Sequence, residues 1–396
     1  MKHAVLLASL LALGPLAARA QAQLSGRVLD GSTRQPVPYA SVVVPGTTLG
    51  TTANAEGEFV LRVPQLPAKV LAFSLGYGRD SATVAQPGAA LTLSLAPAPI
   101  ALPAAEPASY AAELVARAFR EMQRTQGRQL HGQAFYRQLT SLDQQPSQLL
   151  EMLWQVRASS AGPEGTALRQ GRFAEKKGML IGFPDFSSFS KSLHLYSPTH
   201  DSASQARVLS PTPTAQYTLR LLGLSQSNGH SLAEVEFVGK PEFNPQHVRG
   251  ILTIDTDTYQ LLRFRAGIDA ALKSNNPTFK LKDGRMSYDL VFAPRAGGAI
   301  PDHLTTTLTN TIGRLLKPDL RVQVVGYTYF YDWQPTAPAV AYEPANGKRR
   351  DLDAIKQLPY DAAYWRDNPV VKRTPLEEET IKSFEQQKAF GTLLNK

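Results

Sequence analysis

Cysteine is absent from all 396 residues of this chain. Its absence excludes disulfides, thiol catalysis, cysteine–zinc sites and a lipid anchor on a cysteine at a cleavage site. Small exported domains often need disulfides because their cores are thin; a chain of this length does not. Long apolar runs are lacking as well. The run at the start, from Ala4 to Leu13, is ten residues, and a membrane-spanning helix needs about 20. Met1-Lys2-His3 gives that run a short basic start, Gly14-Pro15 breaks it, and Ala18-Arg19-Ala20 and Ala20-Gln21-Ala22 have the form of small-residue cleavage sites. The pattern predicts a signal peptide over residues 1–22. The expected protein is exported, periplasmic or outer-membrane-associated, and not a lipoprotein.

Strong charge clustering is also missing. The net charge is +9, and loss of Lys2 and Arg19 with the signal takes it to +7. The longest purely basic run is Lys348-Arg349-Arg350. Scattered charge of this kind reads as a solvated surface. Outside the cytoplasm it points away from nucleic acid and leaves anionic lipid or acidic polysaccharide as the charged partners to consider.

Catalytic motifs are lacking in the same way. The seven histidines are His3, His131, His194, His200, His230, His247 and His303. No two of them lie three or four residues apart, and no H-E-x-x-H or related metal motif occurs. The G-x-S-x-G turn of hydrolases, the phosphate loop and the dinucleotide fingerprint do not occur. Asp255 and Asp257 suggest calcium, but Tyr259 stands where a third oxygen ligand belongs and no glycine follows, so a hairpin turn is expected. Glu234 and Glu236 share a strand face, as glycoside hydrolysis could use; with Val235 and Phe237 on the other face they read as solvated. No catalytic residue, metal ligand or cofactor is assigned.

What is present is β structure. Residues 23–96 alternate short apolar runs with turn signals at Asp30-Gly31, Pro45-Gly46 and Asn54-Ala55-Glu56-Gly57, the pattern of a small sandwich. Gly57 suits a positive-φ hairpin turn, with Phe59 and Val63 inward. The stretch Leu24-Ser25-Gly26-Arg27-Val28, then Pro36 to Val44, Gly46 to Thr52 and Asn54 to Phe59, resembles the carboxypeptidase-like regulatory domain. The resemblance implies a transthyretin-like, seven-stranded sandwich of the kind frequent at the start of Bacteroidota envelope proteins.

Pro97, Pro99, Pro103 and Pro107 mark 97–109 as a semi-rigid linker. Ala111, Leu114, Val115, Ala118, Phe119 and Met122 recur at helical spacing over 110–126. Long strands then follow to residue 335, an antiparallel α+β domain. Within it, 248–255 followed by 259–263 is similar to the central hairpin of lipoprotein-carrier-type half-barrels. Residues 336–396 form a C-terminal extension in which Thr374 caps a helix expected from Pro375 to about Leu393. The motif from Tyr364 to Pro369 and the segment from Thr374 to Glu385 are similar to the tails of uncharacterised Bacteroidota envelope proteins. The fold class is therefore mainly β, α+β: a transthyretin-like sandwich plus a larger antiparallel-sheet domain with flanking helices.

Two candidate sites emerge. Tyr327, Tyr329, Tyr331 and Trp333 alternate along one strand, which should place them on one face as a stacking platform; aromatics that only pack the sheet would look the same. Phe119, Phe237, Ile251, Ile254 and Leu262 could line an apolar pocket if the helix leaves space against the sheet, and would be plain core if it does not. The expected function is non-enzymatic, the binding of an envelope protein, glycan or lipid through sheet surfaces. The alternative is a hydrolase of envelope polysaccharide or peptide whose site carries no known motif.

Overall fold

The computed structural model describes residues 22–47, 49–88, 90–101, 108–176, 185–192, 195, 208–243, 248–269, 279–295, 297–314, 316–345, 351–367 and 370–390. Residues 1–21 of the expected signal peptide (1–22), residues 102–107 of the linker, His194, His200, His247 and Lys348-Arg349-Arg350 lie outside them.

Seven strands build the N-terminal sandwich: β1 (Ala22–Asp30), β2 (Ser41–Val43), β3 (Gly50–Thr52), β4 (Glu58–Val63), β5 (Ala68–Phe73), β6 (Asp80–Val84) and β7 (Leu91–Leu95). They form two sheets, ordered β4-β1-β7 and β3-β2-β5-β6. Alternation sends Phe59, Leu61 and Val63 of β4 inward and leaves Arg62 outside. They meet Val28, Val42, Val70 and Leu93 in a core built from this domain alone. Gly57 has φ +71°, and a Cβ there would stand 2.5 Å from the Val28 carbonyl oxygen. The hairpin therefore needs glycine at this position, as the sequence indicates.

The rest of the strands form one antiparallel sheet. They are β8 (Ile100–Ala101), β9 (Leu130–Leu142), β10 (Gln145–Ser159), β11 (Gly162–Glu175), β12 (Tyr217–Ser227), β13 (His230–Gly239), β14 (Arg249–Asp255), β15 (Leu261–Asp269), β16 (Phe279–Ala293), β17 (Ile300–Arg314), β18 (Lys317–Gln334) and β19 (Glu343–Pro344). The spatial order is β19-β11-β10-β9-β18-β17-β16-β15-β14-β13-β12-β8. One stretch of this sheet differs from expectation. Residues expected in the linker, Ile100 and Ala101, pair with Ser225 and Leu224 and so add an edge strand to this sheet. Hydrogen bonding to β12 outweighs the extended solvated state that the prolines favour.

The helix α1 (Ala108–Thr125) packs on the half of the sheet formed by β12 to β18. Its stripe of Ala111, Leu114, Val115, Ala118, Phe119 and Met122 is wholly buried there, against Leu232, Val235, Leu252, Phe264, Leu290 and Leu304 among others. Each large side chain so buried contributes about 1.5–3 kcal/mol of transfer free energy.

The C-terminal extension covers the other half. Helix α3 (Asp351–Ile355) lies on the face carrying Tyr136, Met152 and Trp154, where Lys191 of α2 (Ser187–Ser192) pairs with Asp351 at 2.6 Å. Helices α4 (Ala362–Asp367) and α5 (Pro375–Gln386) lie on the opposite face, where Trp365 and Val371 meet Phe135, Leu153 and Tyr327, and Ile381 and Phe384 meet Leu149. Helix α5 begins in a capping box between Thr374 and Glu377 and ends at Gln386, seven residues before the expected Leu393. The reason is local: Gln387 already serves as C-cap, and Phe390 turns back onto Phe384.

Candidate functional site: a cleft between sandwich and sheet

The strands β15 to β18 are two-faced. Phe264, Leu290 and Leu304 face α1. Their alternates face away and fall into register as rows across the sheet. Arg263 pairs with Val291, Val291 with His303, and His303 with Tyr329. Asp289 pairs with Thr305, and Thr305 with Tyr327. Because side chains alternate, all of these share the face that α1 leaves uncovered. The sandwich docks on that face. Tyr39 stacks on Tyr327 with ring centroids 4.4 Å apart and planes 14° from parallel, and Tyr327 Oη donates to Thr52 Oγ1 at 3.4 Å. Burial pushes the Tyr39 phenol up to about 12. The extension joins the contact: Asn54 Nδ2 donates to the Arg373 carbonyl at 3.3 Å, and Lys372 pairs with Glu58 at 3.0 Å.

Docking is incomplete, and a cleft of about 970 Å³ remains between the two surfaces. Tyr39, Thr51 and Phe73 line it from the sandwich, and Asp289, His303 and Tyr329 from the sheet. Arg263 meets Asp289 with two hydrogen bonds, Nε to Oδ1 at 2.7 Å and Nη2 to Oδ2 at 2.6 Å. His303 Nδ1 lies 2.8 Å from Asp302 Oδ2. Tyr329 and Tyr331 stack on each other, with centroids 5.4 Å apart and planes 10° from parallel.

The aromatic row thus divides. Tyr327 is buried under Tyr39 and serves the interface; Tyr329 and Tyr331 are half-buried and border the cleft. Trp333 corrects the expectation of a single face. Asp332 has φ +57°, and pairing of β18 with β9 slips between Tyr331 and Gln334. This bulge inserts an extra residue. Trp333 therefore packs on Phe330, on the other face of the sheet, though it still borders the cleft.

The apolar set divides in a similar way. Phe119, Phe237, Ile254 and Leu262 are all buried on the α1 side, between 0% and 3% exposed. Ile251 does not join them. It lies opposite Glu236 on one side and Arg265 on the other, on the face turned from α1, and Leu252 takes the inward place. Alternation requires this, since Ile251 and Ile254 are an odd number of residues apart. Among the described residues, the gap beside Met122 and Leu261 is about 10 Å³, room for at most one water. The helix fills the space that an acyl chain would need.

The acid pair of β13 is occupied: Glu234 pairs with Arg265 and Glu236 with Arg220. Asp255 accepts the backbone N–H groups of Asp257 and Thr258 on Oδ1, a hairpin turn as expected, and its Oδ2 faces His230 Nδ1 at 2.6 Å. Among the described residues, no group of three or more potential ligands is placed to hold a metal ion. Also among them, no helix is long and apolar enough to cross a membrane. What sequence reasoning missed is the wall from the sandwich. A usable signal was the polar alternation of Arg263 with Arg265 and of His303 with Thr305 inside otherwise apolar strands.

Comparison with known proteins agrees with the N-terminal reading. Residues 24–102 match the CarboxypepD_reg-like domain. No curated protein matches the chain. Three solved structures are similar in part. A DUF1329 family protein from Desulfovibrio piger is 10% identical, with a TM-score of 0.26 over 60% of this chain and 96% of its own. A putative outer membrane lipoprotein-sorting protein domain from Vibrio parahaemolyticus is 12% identical, with a TM-score of 0.27 over 58% and 93%. A LolA superfamily protein from Nitrosomonas europaea is 12% identical, with a TM-score of 0.23 over 58% and 94%.

Proposed function

We propose that this chain, whose residues 24–102 are a CarboxypepD_reg-like domain, is a non-enzymatic binding protein of the cell envelope. Its ligand occupies the cleft between that domain and the large sheet. The observation that carries this reading is the cleft itself, about 970 Å³ with stacked aromatics on one wall, at the upper end of the usual range for ligand sites of about 300–1,000 Å³. Export fits the basic start, the short apolar run and the small-residue sites at the N-terminus.

The hydrolase alternative finds less support. A general acid must stay protonated and free to give up its proton. The carboxylates of the cleft are engaged: Asp289 by Arg263, Asp302 by His303, and Asp332 by the amide of Gln133 at 2.9 Å. None is left to protonate a leaving group.

The test is hydrogen–deuterium exchange on the exported full chain, with and without whole envelope extract. Protection should appear together in 39–52, 287–305 and 327–333. Exchange unchanged in all three segments would overturn the reading.

A further inference from the structure

We infer that the ligand of the cleft is an uncharged saccharide, a stretch of neutral envelope glycan; this rests on the cleft being the binding site. The charge count comes first. Among the described residues the lining has three arginines, Arg79, Arg263 and Arg295, against three aspartates, Asp289, Asp302 and Asp332, and no lysine or glutamate. The chain as a whole carries +9, so its basic excess lies elsewhere. A wall of balanced charge does not concentrate a polyanion, because focusing requires a surplus of one sign. Groups of both signs stand near the Tyr329 phenol: after burial, the largest influence, Asp302 and Tyr331 raise it and Arg295 lowers it. Arg79 directs two of its five N–H donors to the side-chain and backbone oxygens of Asn228, at 3.0 and 3.3 Å.

Hydrogen-bonding capacity comes second. Ser41, Thr51, Ser74, Ser287 and Thr305 place hydroxyls around the cleft, and each can both donate and accept. The Arg263–Asp289 pair adds a planar edge of donors beside acceptors, which suits the adjacent hydroxyls of a sugar ring. The stacked rings of Tyr329 and Tyr331 add flat, amphipathic surface on which the C–H face of a sugar can lie. An acyl chain has the opposite needs: it would strand these polar groups without water or partners, at a cost of about 1–3 kcal/mol for each unsatisfied group. The apolar side of the sheet, which would suit such a chain, is filled by α1.

The experiment separates glycans released from the envelope on an anion exchanger. Its arms are the neutral flow-through, the retained acidic fraction, and vesicles of phosphatidylglycerol. Binding is read by exchange protection at 327–333 and by the fluorescence of Trp333, the one tryptophan of three that borders the cleft. We expect saturable binding from the neutral fraction, weakened about tenfold or more by Tyr329→Ala with Tyr331→Ala, equivalent to at least about 1.4 kcal/mol. Arg295→Ala should change it by less than about threefold, as expected when no anionic group is recognised. Circular dichroism checks that each variant folds. Protection by the acidic fraction or the vesicles, with none from the neutral fraction, overturns the saccharide assignment and leaves the cleft as the site. No protection from any arm or from whole extract removes the cleft reading itself.

Discussion

Arg137 of β9 reaches Glu377 of α5 with Nη1 at 2.9 Å from Oε2, the same oxygen that accepts the Thr374 backbone N–H at 2.8 Å. One carboxylate thus completes the capping box and anchors the C-terminal helix to the sheet. Behind it lies Glu151, 1% exposed, whose two oxygens accept from Arg137 Nε and Arg172 Nε, each at 2.6 Å. Arg172 is held between the rings of Trp365 and Phe390, 4.8 Å from each. Breaking a buried ion network by deleting one partner strands the others. Glu151→Ala should therefore cost about 3–5 kcal/mol, read as a lower midpoint in urea. A loss below about 1 kcal/mol, the worth of an exposed pair, would show that water enters the cluster.

The same carboxyl sets a pH dependence. Burial alone would raise Glu151, but Arg172 and Arg137 outweigh it and hold it at about 2, from an ordinary 4.5. The unfolded chain binds this proton more readily, so the stabilisation is complete above about pH 4.5 and lost as pH falls toward 2. Glu58 is lowered as well: burial opposes it, but Lys372 and Arg27 prevail. Thermal melting from pH 7 to pH 2 should show a falling midpoint below about 4.5, and Glu151→Gln should flatten part of that slope while lowering the plateau. A variant that keeps the full wild-type slope would assign the acid sensitivity to other groups.

The hairpin of the sandwich gives a local test. Gly57 needs φ +71°, and its Cβ would also meet Pro36 Cβ at 3.2 Å. Gly57→Val combines that strain with a backbone clash and should cost about 2 kcal/mol or more. Denaturant unfolding, followed by a probe in residues 22–95, would register it. Stability equal to wild type would mean that the turn can be rebuilt around a side chain.

Much of this fold was legible because its signals are local. Gly57 and the inward Phe59 marked the sandwich; the 3.6-residue spacing from Ala111 to Met122 marked α1; Thr374 with Pro375 marked the start of α5. The candidate site was legible only in pieces. Tyr329 and Tyr331 stood out as aromatics on a strand, but the bulge at Asp332 depends on how β18 pairs with β9 across nearly 200 residues, and no short pattern encodes it. Tyr39 gave no signal, since its partner Tyr327 comes from another domain. Ile251 is a different kind of miss: strict alternation along β14 already placed it opposite Ile254.

The core under α1 yields the last prediction. Phe119 is 3% exposed and Phe237 1% exposed, with Tyr217 edge-on and Phe264 stacked against the second ring at centroid distances of 5.6 and 5.8 Å. A core closed this tightly has no room for an acyl chain unless α1 lifts away, and lifting would re-expose Leu114, Val115, Phe119 and Met122 together. At about 1.5–3 kcal/mol for each large side chain, that opening is too costly for a fatty acid to drive. The full chain, stripped of lipid, should therefore show no saturable binding of a fluorescent fatty acid. Phe119→Ala removes the ring without moving the helix, and should cost about 3–5 kcal/mol through lost transfer and the cavity left behind. A dry cavity of that kind takes up benzene or xenon, so the variant alone should gain stability in the presence of benzene. Saturable fatty-acid binding by the unaltered chain, abolished by Phe237→Asp with the fold intact, would show instead that α1 opens and that the space beneath it is a site.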